Sequence, residues 1–401
     1  MAKRTIGTTT QIFVAMLAGA ALGAVLPGVT SHLRVVGDIF INAVKMMVVP
    51  LLLCSIVVGI ADLRDVRNVG TVGIATIAFA AVTNLLAAFF GTVAGVLTQP
   101  GAGLKPGNGV QAVANAQLSL RDVLLSIVPD NIVDAMAKSN LLAVIAFSAL
   151  LGLAIVSVRE RGEPVVALLR SSLDIISAVL KMIIAAAPLA VCALIANVVA
   201  TTGWTVLAAM LRMVLVVWAG IGIFIVGYVS VIHIVLLRNS PLEFFRRTSE
   251  ASLMALATCS GMVTMPVTIR NATELGVPHD KAALVVGTGT ALINGGSSFY
   301  KAAAVVFVAS LYGTTLSLHQ LFIVVLLSAF LVTAGVPAAG TMSVAVALTM
   351  FGIPLEGIAT LMAIDRIRDM PSTWGNVVTH ALGARVVHHF SLGTSVEEPQ
   401  P

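Results

Sequence analysis

Residues 321–350 read LFIVVLLSAFLVTAGVPAAGTMSVAVALTM, an apolar stretch with a break in its middle at Gly335-Val336-Pro337. A helix needs about 20 apolar residues to cross a bilayer, so neither half spans alone. Proline removes a backbone donor and stops a helix. The segment therefore reads as a hairpin that enters the membrane, turns at Gly335-Val336-Pro337 and leaves on the same side. A second apolar segment, 251–268, reads the same way, with its interruption at Pro266. In hydrocarbon every backbone N–H and C=O needs a partner, so broken helices persist only where they line protein or a cavity. Paired interruptions are the sequence pointer to a transporter's binding site near the midplane. The competing reading is a pair of proline kinks in ordinary spanning helices.

The rest of the chain supplies the membrane setting. Of its 401 residues 58% are hydrophobic and only 10% charged, where a soluble domain carries about 25% charged residues. Mean hydropathy is +1.02. Too few polar side chains exist to cover a soluble surface, and disorder and a nucleic-acid-binding role are excluded with it. Candidate spans are 11–28, 35–62, 70–97, 140–158, 172–200 and 205–237, followed by two ordinary spans, 280–311 and 356–387, that alternate with the hairpins. The first follows Met1-Ala2-Lys3-Arg4 and reads as a transmembrane helix rather than a cleavable leader.

The net charge of +5 matters through its placement. With Lys3 and Arg4 cytoplasmic, Arg64, Arg67, Arg159, Arg161, Arg238, Arg246, Arg247 and Arg385 all fall inside. Only Arg34, Lys105, Arg121 and Lys138 lie outside. The expected fold is thus an all-α polytopic membrane protein with eight transmembrane helices, two re-entrant helical hairpins and both termini cytoplasmic. Segment 99–122 is expected to be an extracellular loop and 391–401 a disordered tail. Cys54, Cys192 and Cys259 are scattered through apolar stretches, without the spacing of a disulfide framework or a zinc site.

The last span holds the densest intramembrane chemistry: DRIRDMPSTWGNVVTH, residues 365–380. At about 100° per residue, Asp365, Asp369, Ser372, Thr373, Asn376 and His380 share one sector of the helix, flanked by Arg366 and Arg368. A charge at the bilayer centre costs about 2.5–3.5 kcal/mol on insertion scales, so this stripe must face a cavity or partners. Either the aspartates are neutralised by Arg366 and Arg368, or the stripe is a ligand site.

These residues, with several others, resemble the dicarboxylate/amino acid:cation symporters, the family of the glutamate transporters. The likeness covers nearly the whole chain. Gly37-Asp38-Ile39-Phe40 through Lys45-Met46-Met47-Val48-Val49-Pro50 is similar to the family's second helix. Gln99-Pro100-Gly101-Ala102-Gly103, Ile127-Val128-Pro129 with Asn131, and Ala187-Pro188 match the end of its third helix and the lead-ins to its fourth and fifth. Thr264-Met265-Pro266-Val267-Thr268 looks like the tip of the first hairpin, and Thr333-Ala334-Gly335-Val336-Pro337 like that of the second. The resemblance implies an inverted-repeat elevator transporter, a homotrimer in a prokaryotic plasma or inner membrane. Residues 1–240 would hold six transmembrane helices, scaffold helices together with peripheral helices of the transport domain, and 241–390 the transport core with both hairpins and the last two spans.

Carried over by position, Asp369 is where the family receives a substrate amino group, Asn376 where it holds an α-carboxylate, and Thr373 a pocket threonine. Ser260, Gly261, Ser298, Val336 and Gly340 complete the expected pocket. Ser372 stands where acidic-substrate members commonly place an arginine. A hydroxyl cannot grip a carboxylate as a guanidinium does, so the favoured substrate is a small neutral amino acid. The alternative is an acidic amino acid or C4-dicarboxylate symporter, coupled to sodium or protons and using Arg368, unless Arg368 is spent on Asp365 at i−3.

The family's ion sites are altered. Its seventh span carries Asn-Met-Asp-Gly-Thr; here the run is Asn294-Gly295-Gly296-Ser297-Ser298, and a further ion-binding carboxylate aligns with His380. A hard cation wants anionic or carbonyl oxygen. Thr83, Asn84, Asn294 and Thr333 remain as weak sodium candidates. Lys301, on the face of Asn294, is placed to take the electrostatic role of a missing sodium ion, and His380 titrates near neutral pH in ordinary surroundings. The expectation is proton-coupled or uncoupled transport, with Lys301, Asp365 and His380 as charge-switch candidates. The plainer alternative is a permanent Lys301–Asp365 ion pair. No cofactor is expected beyond a proton or residual sodium as coupling ion, and the partners are substrate and lipid. An enzyme is disfavoured, because Asp365 and Asp369 lie on one helix and no hydrolase motif is present; an anion channel is a remote alternative.

Overall fold

The computed structural model describes residues 8–68, 71–102, 128–138, 140–202, 205–331, 339–355 and 357–392, and among them every regular element is a helix. The first half comprises α1 (Thr8–Val25), α2 (Pro27–Asn68), α3 (Thr71–Thr98), α4 (Ile132–Ala137), α5 (Leu141–Ser157), α6 (Glu163–Ala185), α7 (Ala187–Thr202) and α8 (Thr205–Val231). The second comprises α9 (Pro241–Arg247), α10 (Ser249–Thr258), α11 (Gly261–Glu274), α12 (His279–Leu292), α13 (Gly295–Leu311), α14 (Leu318–Phe330), α15 (Ala339–Met350), α16 (Gly357–Ala363) and α17 (Asp365–Leu392). Among the described residues, three stretches are long and apolar enough to cross a membrane: Thr71–Thr98, Leu207–Leu236 and His279–Leu311. In the last of these, 83% of the most apolar window is buried inside the protein. That stretch is the axis of the core rather than a lipid-facing helix.

The breaks differ from those expected. Pro266 does not turn the first hairpin; it lies inside α11. The turn comes earlier, at Cys259-Ser260. Cys259 adopts φ 52°, ψ 38°, the left-handed conformation that ends a helix. Ser260 then caps α11, its Oγ accepting from the Val263 N–H at 3.3 Å. The tip signature at 264–268 is thus the opening turns of the second arm. The two apolar halves of segment 321–350 fall on α14 and α15; Thr333, Val336 and the Gly335-Val336-Pro337 break, and with them the expected turn, lie outside the described residues.

The expected span 172–200 is two helices, α6 and α7, which meet at Ala186. Pro188 falls in the first turn of α7, where its missing N–H leaves no helix bond unmade. The two late spans are interrupted as well. Ile293 and Asn294 separate α12 from α13, with Ile293 extended at φ −95°, ψ 97°. Ile364 separates α16 from α17. Ser391 and Leu392, expected in the tail, instead end α17; residues 393–401 and most of the 99–122 segment lie outside the described residues.

Around α13 the packing is backbone to backbone. A Cβ on Gly91 of α3 would lie 2.2 Å from the Phe299 carbonyl oxygen, and one on Gly95 would lie 2.9 Å from Val306 Cβ. On the other side, a Cβ on Gly296 would lie 2.1 Å from the Ser372 carbonyl oxygen, and one on Gly375 2.9 Å from Gly296 Cα. Small residues allow this approach, and in a membrane such van der Waals packing supplies much of helix association.

Candidate functional site

The polar stripe of α17 faces the core, and Arg368 is its centre. Only 2% of the Arg368 side chain is exposed. Its Nε donates to Asp365 Oδ1 at 3.1 Å, Nη2 also reaches Asp365, and Nη1 donates to Asp369 Oδ1 at 3.3 Å. Nη2 donates to Thr341 Oγ1 at 3.0 Å, and that hydroxyl donates to Asp365 Oδ1 at 2.7 Å. The guanidinium lies over the Tyr300 ring, 3.9 Å from its centroid, and the Tyr300 hydroxyl pairs with Thr341 Oγ1 at 2.9 Å. Sequence reasoning placed Arg368 on the flank of the stripe. It missed Tyr300 and Thr341, whose only signal is that they lie beside Lys301 and Gly340.

The two aspartates are more open than the arginine between them, with 18% of Asp365 and 24% of Asp369 exposed. Gly340 lets the second hairpin approach: a Cβ there would lie 3.3 Å from Arg368 Nη1. Ser372, expected in the pocket wall, instead turns its hydroxyl back to the Arg368 carbonyl at 3.0 Å. This is a local bond that a buried serine makes readily within a helix. Thr373 is buried nearby.

One helical turn further along α17, the stripe meets the break between α12 and α13. Asn376 Oδ1 accepts from the Ser297 N–H at 3.0 Å and its Nδ2 donates to Ser297 Oγ at 2.8 Å. The expected carboxylate-holding amide thus clasps the first turn of α13. Ser298 Oγ is buried without a hydrogen-bond partner among the described residues. Asn84 of α3 bridges the break itself, donating from Nδ2 to the Leu292 carbonyl at 2.9 Å and accepting at Oδ1 from the Asn294 N–H at 2.8 Å. Asn294 Nδ2 donates to the Ala291 carbonyl at 2.9 Å. His380 Nε2 lies 2.9 Å from the Ile293 carbonyl oxygen. Gly261, at the start of the second arm of hairpin 1, is close by: a Cβ there would lie 3.9 Å from His380 Cε1. Thr83, the remaining sodium candidate here, is paired with the Tyr228 hydroxyl at 2.8 Å.

Replacing Asn84 by leucine leaves the Leu292 carbonyl and the Asn294 N–H without partners. Each unsatisfied buried group costs about 1–3 kcal/mol, so Asn84→Leu is expected to lower the melting temperature of the detergent-solubilised protein markedly. Asn84→Asp keeps an acceptor but no donor and falls between the two. An unchanged melting temperature in Asn84→Leu would show that the bridge is dispensable.

Lys301 does not pair with Asp365, which is committed to Arg368. Its Nζ donates to the Leu331 carbonyl, just beyond α14, at 2.8 Å. At the corresponding end of the first hairpin's leading arm, Arg366 Nη2 donates to the Thr258 carbonyl at 3.3 Å.

The family model described as the sodium:dicarboxylate symporter family matches residues 8–390. Among curated relatives, the proton/glutamate-aspartate symporter of Escherichia coli (strain K12) is 34% identical, over 94% of this chain and 91% of its own length. The proton/sodium-glutamate symport protein of Bacillus caldotenax is 30% identical, over 96% of this chain and 94% of its own. A C4-dicarboxylate transport protein of Bacillus subtilis (strain 168) is 29% identical, over 97% of this chain and 96% of its own.

Proposed function

The chain belongs to the sodium:dicarboxylate symporter family, and from that premise we propose that it is a secondary carrier for an acidic amino acid. The observation that carries this reading is the Arg368 guanidinium, held over Tyr300 and beside Gly340 with the more open Asp369 next to it. Asp369 offers a carboxylate to a substrate ammonium. Arg368 offers a planar fork to a side-chain carboxylate, in the role that Ser372 cannot fill. The relatives' names favour this acidic reading over the neutral one that Ser372 suggested. A C4-dicarboxylate lacks the ammonium that Asp369 would meet and ranks second.

In this reading eight spans and two hairpins form the fold, with one hairpin turning at Cys259-Ser260. Residues 241–390 are the core that moves as an elevator within a homotrimer in the inner membrane, both chain ends cytoplasmic. Transport is coupled to protons or uncoupled rather than strongly coupled to sodium. A second reading, a neutral amino acid, is favoured by one observation: both aspartates already engage Arg368.

The test is uptake of labelled L-aspartate and L-glutamate into proteoliposomes holding the purified carrier, with unlabelled competitors. Saturable uptake is expected, competed strongly by acidic amino acids, more weakly by succinate and least by alanine or serine. Competition by alanine or serine alone would return the neutral reading.

A further inference from the structure

Four main-chain carbonyls mark where helices end inside the core, and each is met by a nitrogen of the chain itself. Arg366 Nη2 lies 3.3 Å from the Thr258 oxygen and Lys301 Nζ 2.8 Å from the Leu331 oxygen. Asn84 Nδ2 lies 2.9 Å from the Leu292 oxygen and His380 Nε2 2.9 Å from the Ile293 oxygen. Helix C-terminal carbonyls carry partial negative charge, and unwound carbonyls inside membrane carriers are the usual ligands of coupling cations. A hard cation needs several oxygens on one point. Here the donor set is wrong for it: two cationic and two uncharged nitrogen groups occupy the space on the oxygen side of these carbonyls.

Lys301 is the sharpest case. Its side chain is 2% exposed. Its one hydrogen bond among the described residues goes to the Leu331 carbonyl, and both nearby aspartates pair with Arg368. A buried ammonium facing a helix C-terminus is the electrostatic equivalent of a bound monovalent cation, tethered in place.

We propose that, among the described residues, internal donors take the places of bound alkali-metal ions, with Lys301 as the resident cation at the end of α14 and Asn84 and His380 closing the break between α12 and α13. The inference deepens the proposed transport function and rests on it for its meaning.

The test begins with the purified full-length protein in detergent, melted in NaCl, LiCl or choline chloride at equal ionic strength. This readout needs no substrate. The melting temperature is expected to be the same in all three salts; a rise specific to NaCl or LiCl overturns the proposal, because a ligand that binds only the native state stabilises it. Uptake of labelled L-aspartate by proteoliposomes in sodium or choline medium follows, with equal rates expected. Lys301→Gln frees the Leu331 carbonyl and is expected to make melting or uptake respond to NaCl, whereas Lys301→Arg keeps the cation and the indifference. A folded Lys301→Gln carrier that transports normally and ignores sodium removes Lys301 from the role. If Lys301→Gln does not fold, the unsubstituted protein's response to sodium still decides. Absence of acidic amino acid uptake with salt-independent melting overturns the substrate assignment and leaves the ion assignment standing.

Discussion

Arg368→Met is expected to abolish uptake of acidic amino acids and to destabilise the protein. Two effects combine. In the proposed reading the pocket loses its fork for a side-chain carboxylate, and Asp365 and Asp369 lose the partner that both share. Removing one member of a buried charge group costs about 3–5 kcal/mol, because the remaining charges stay buried without compensation. The two effects separate in a second variant. Arg368→Met combined with Asp365→Asn removes one charge of each sign and is expected to regain much of the melting temperature, but none of the acidic uptake. Arg368→Lys keeps the charge without the planar fork and should fold while transporting acidic substrates poorly. Wild-type aspartate uptake in a folded Arg368→Met carrier would end the assignment.

Gly296→Asp, which places at this position the aspartate that the family resemblance led us to expect, is expected not to create a sodium site. It is expected instead to break the core. A Cβ on Gly296 would lie 2.1 Å from the Ser372 carbonyl oxygen and 2.9 Å from its carbonyl carbon. These atoms are backbone of α17 and cannot swing aside as a flexible side chain would. Overpacking a well-packed interior typically costs about 1–3 kcal/mol; a contact this short against main chain belongs at or above the top of that range. Loss of monodisperse protein on size-exclusion chromatography, or a large drop in melting temperature, is the expected result. A stable Gly296→Asp variant whose uptake rises with sodium would refute this account. The approach of α13 to α17 at Gly296 therefore leaves no room for a side chain, and a single substitution does not relieve it.

The membrane class, the helical fold and the family were legible in the sequence, because they rest on hydropathy, on broken apolar segments and on runs such as 333–337 and 365–380. Which face of α17 looks inward was legible too, since periodicity alone puts Asp365, Asp369, Asn376 and His380 together. The points where helices stop were not. Pro266 drew attention because proline is a breaker, but as the sixth residue of α11 it sits inside that helix, which forgoes one bond, to the Met262 carbonyl. The actual turn uses Cys259, a residue with no turn signature. The break at Ile293-Asn294 was hidden for another reason: it is stabilised from outside the segment, by Asn84 and His380. The partners of Arg368 and Lys301 were likewise out of reach. A guanidinium at i+3 from an aspartate announces one ion pair, whereas its stacking on Tyr300 depends on a neighbouring helix. Nothing local says that Lys301 ends on the Leu331 carbonyl rather than on Asp365.

The glycine contacts between α3 and α13 bear on how any large motion in this molecule is partitioned. Gly91 and Gly95 bring α3 so close to α13 that sliding one helix along the other by a few ångströms would drive side chains into main chain. No low-friction shear plane exists along that seam. α3, although it lies far earlier in the chain, must travel with α13 as one rigid body. In the elevator motion proposed above, the moving part therefore includes α3 from the first half of the chain as well as residues 241–390. A disulfide engineered across the α3–α13 seam should leave turnover intact, whereas one placed across the true sliding surface would arrest it.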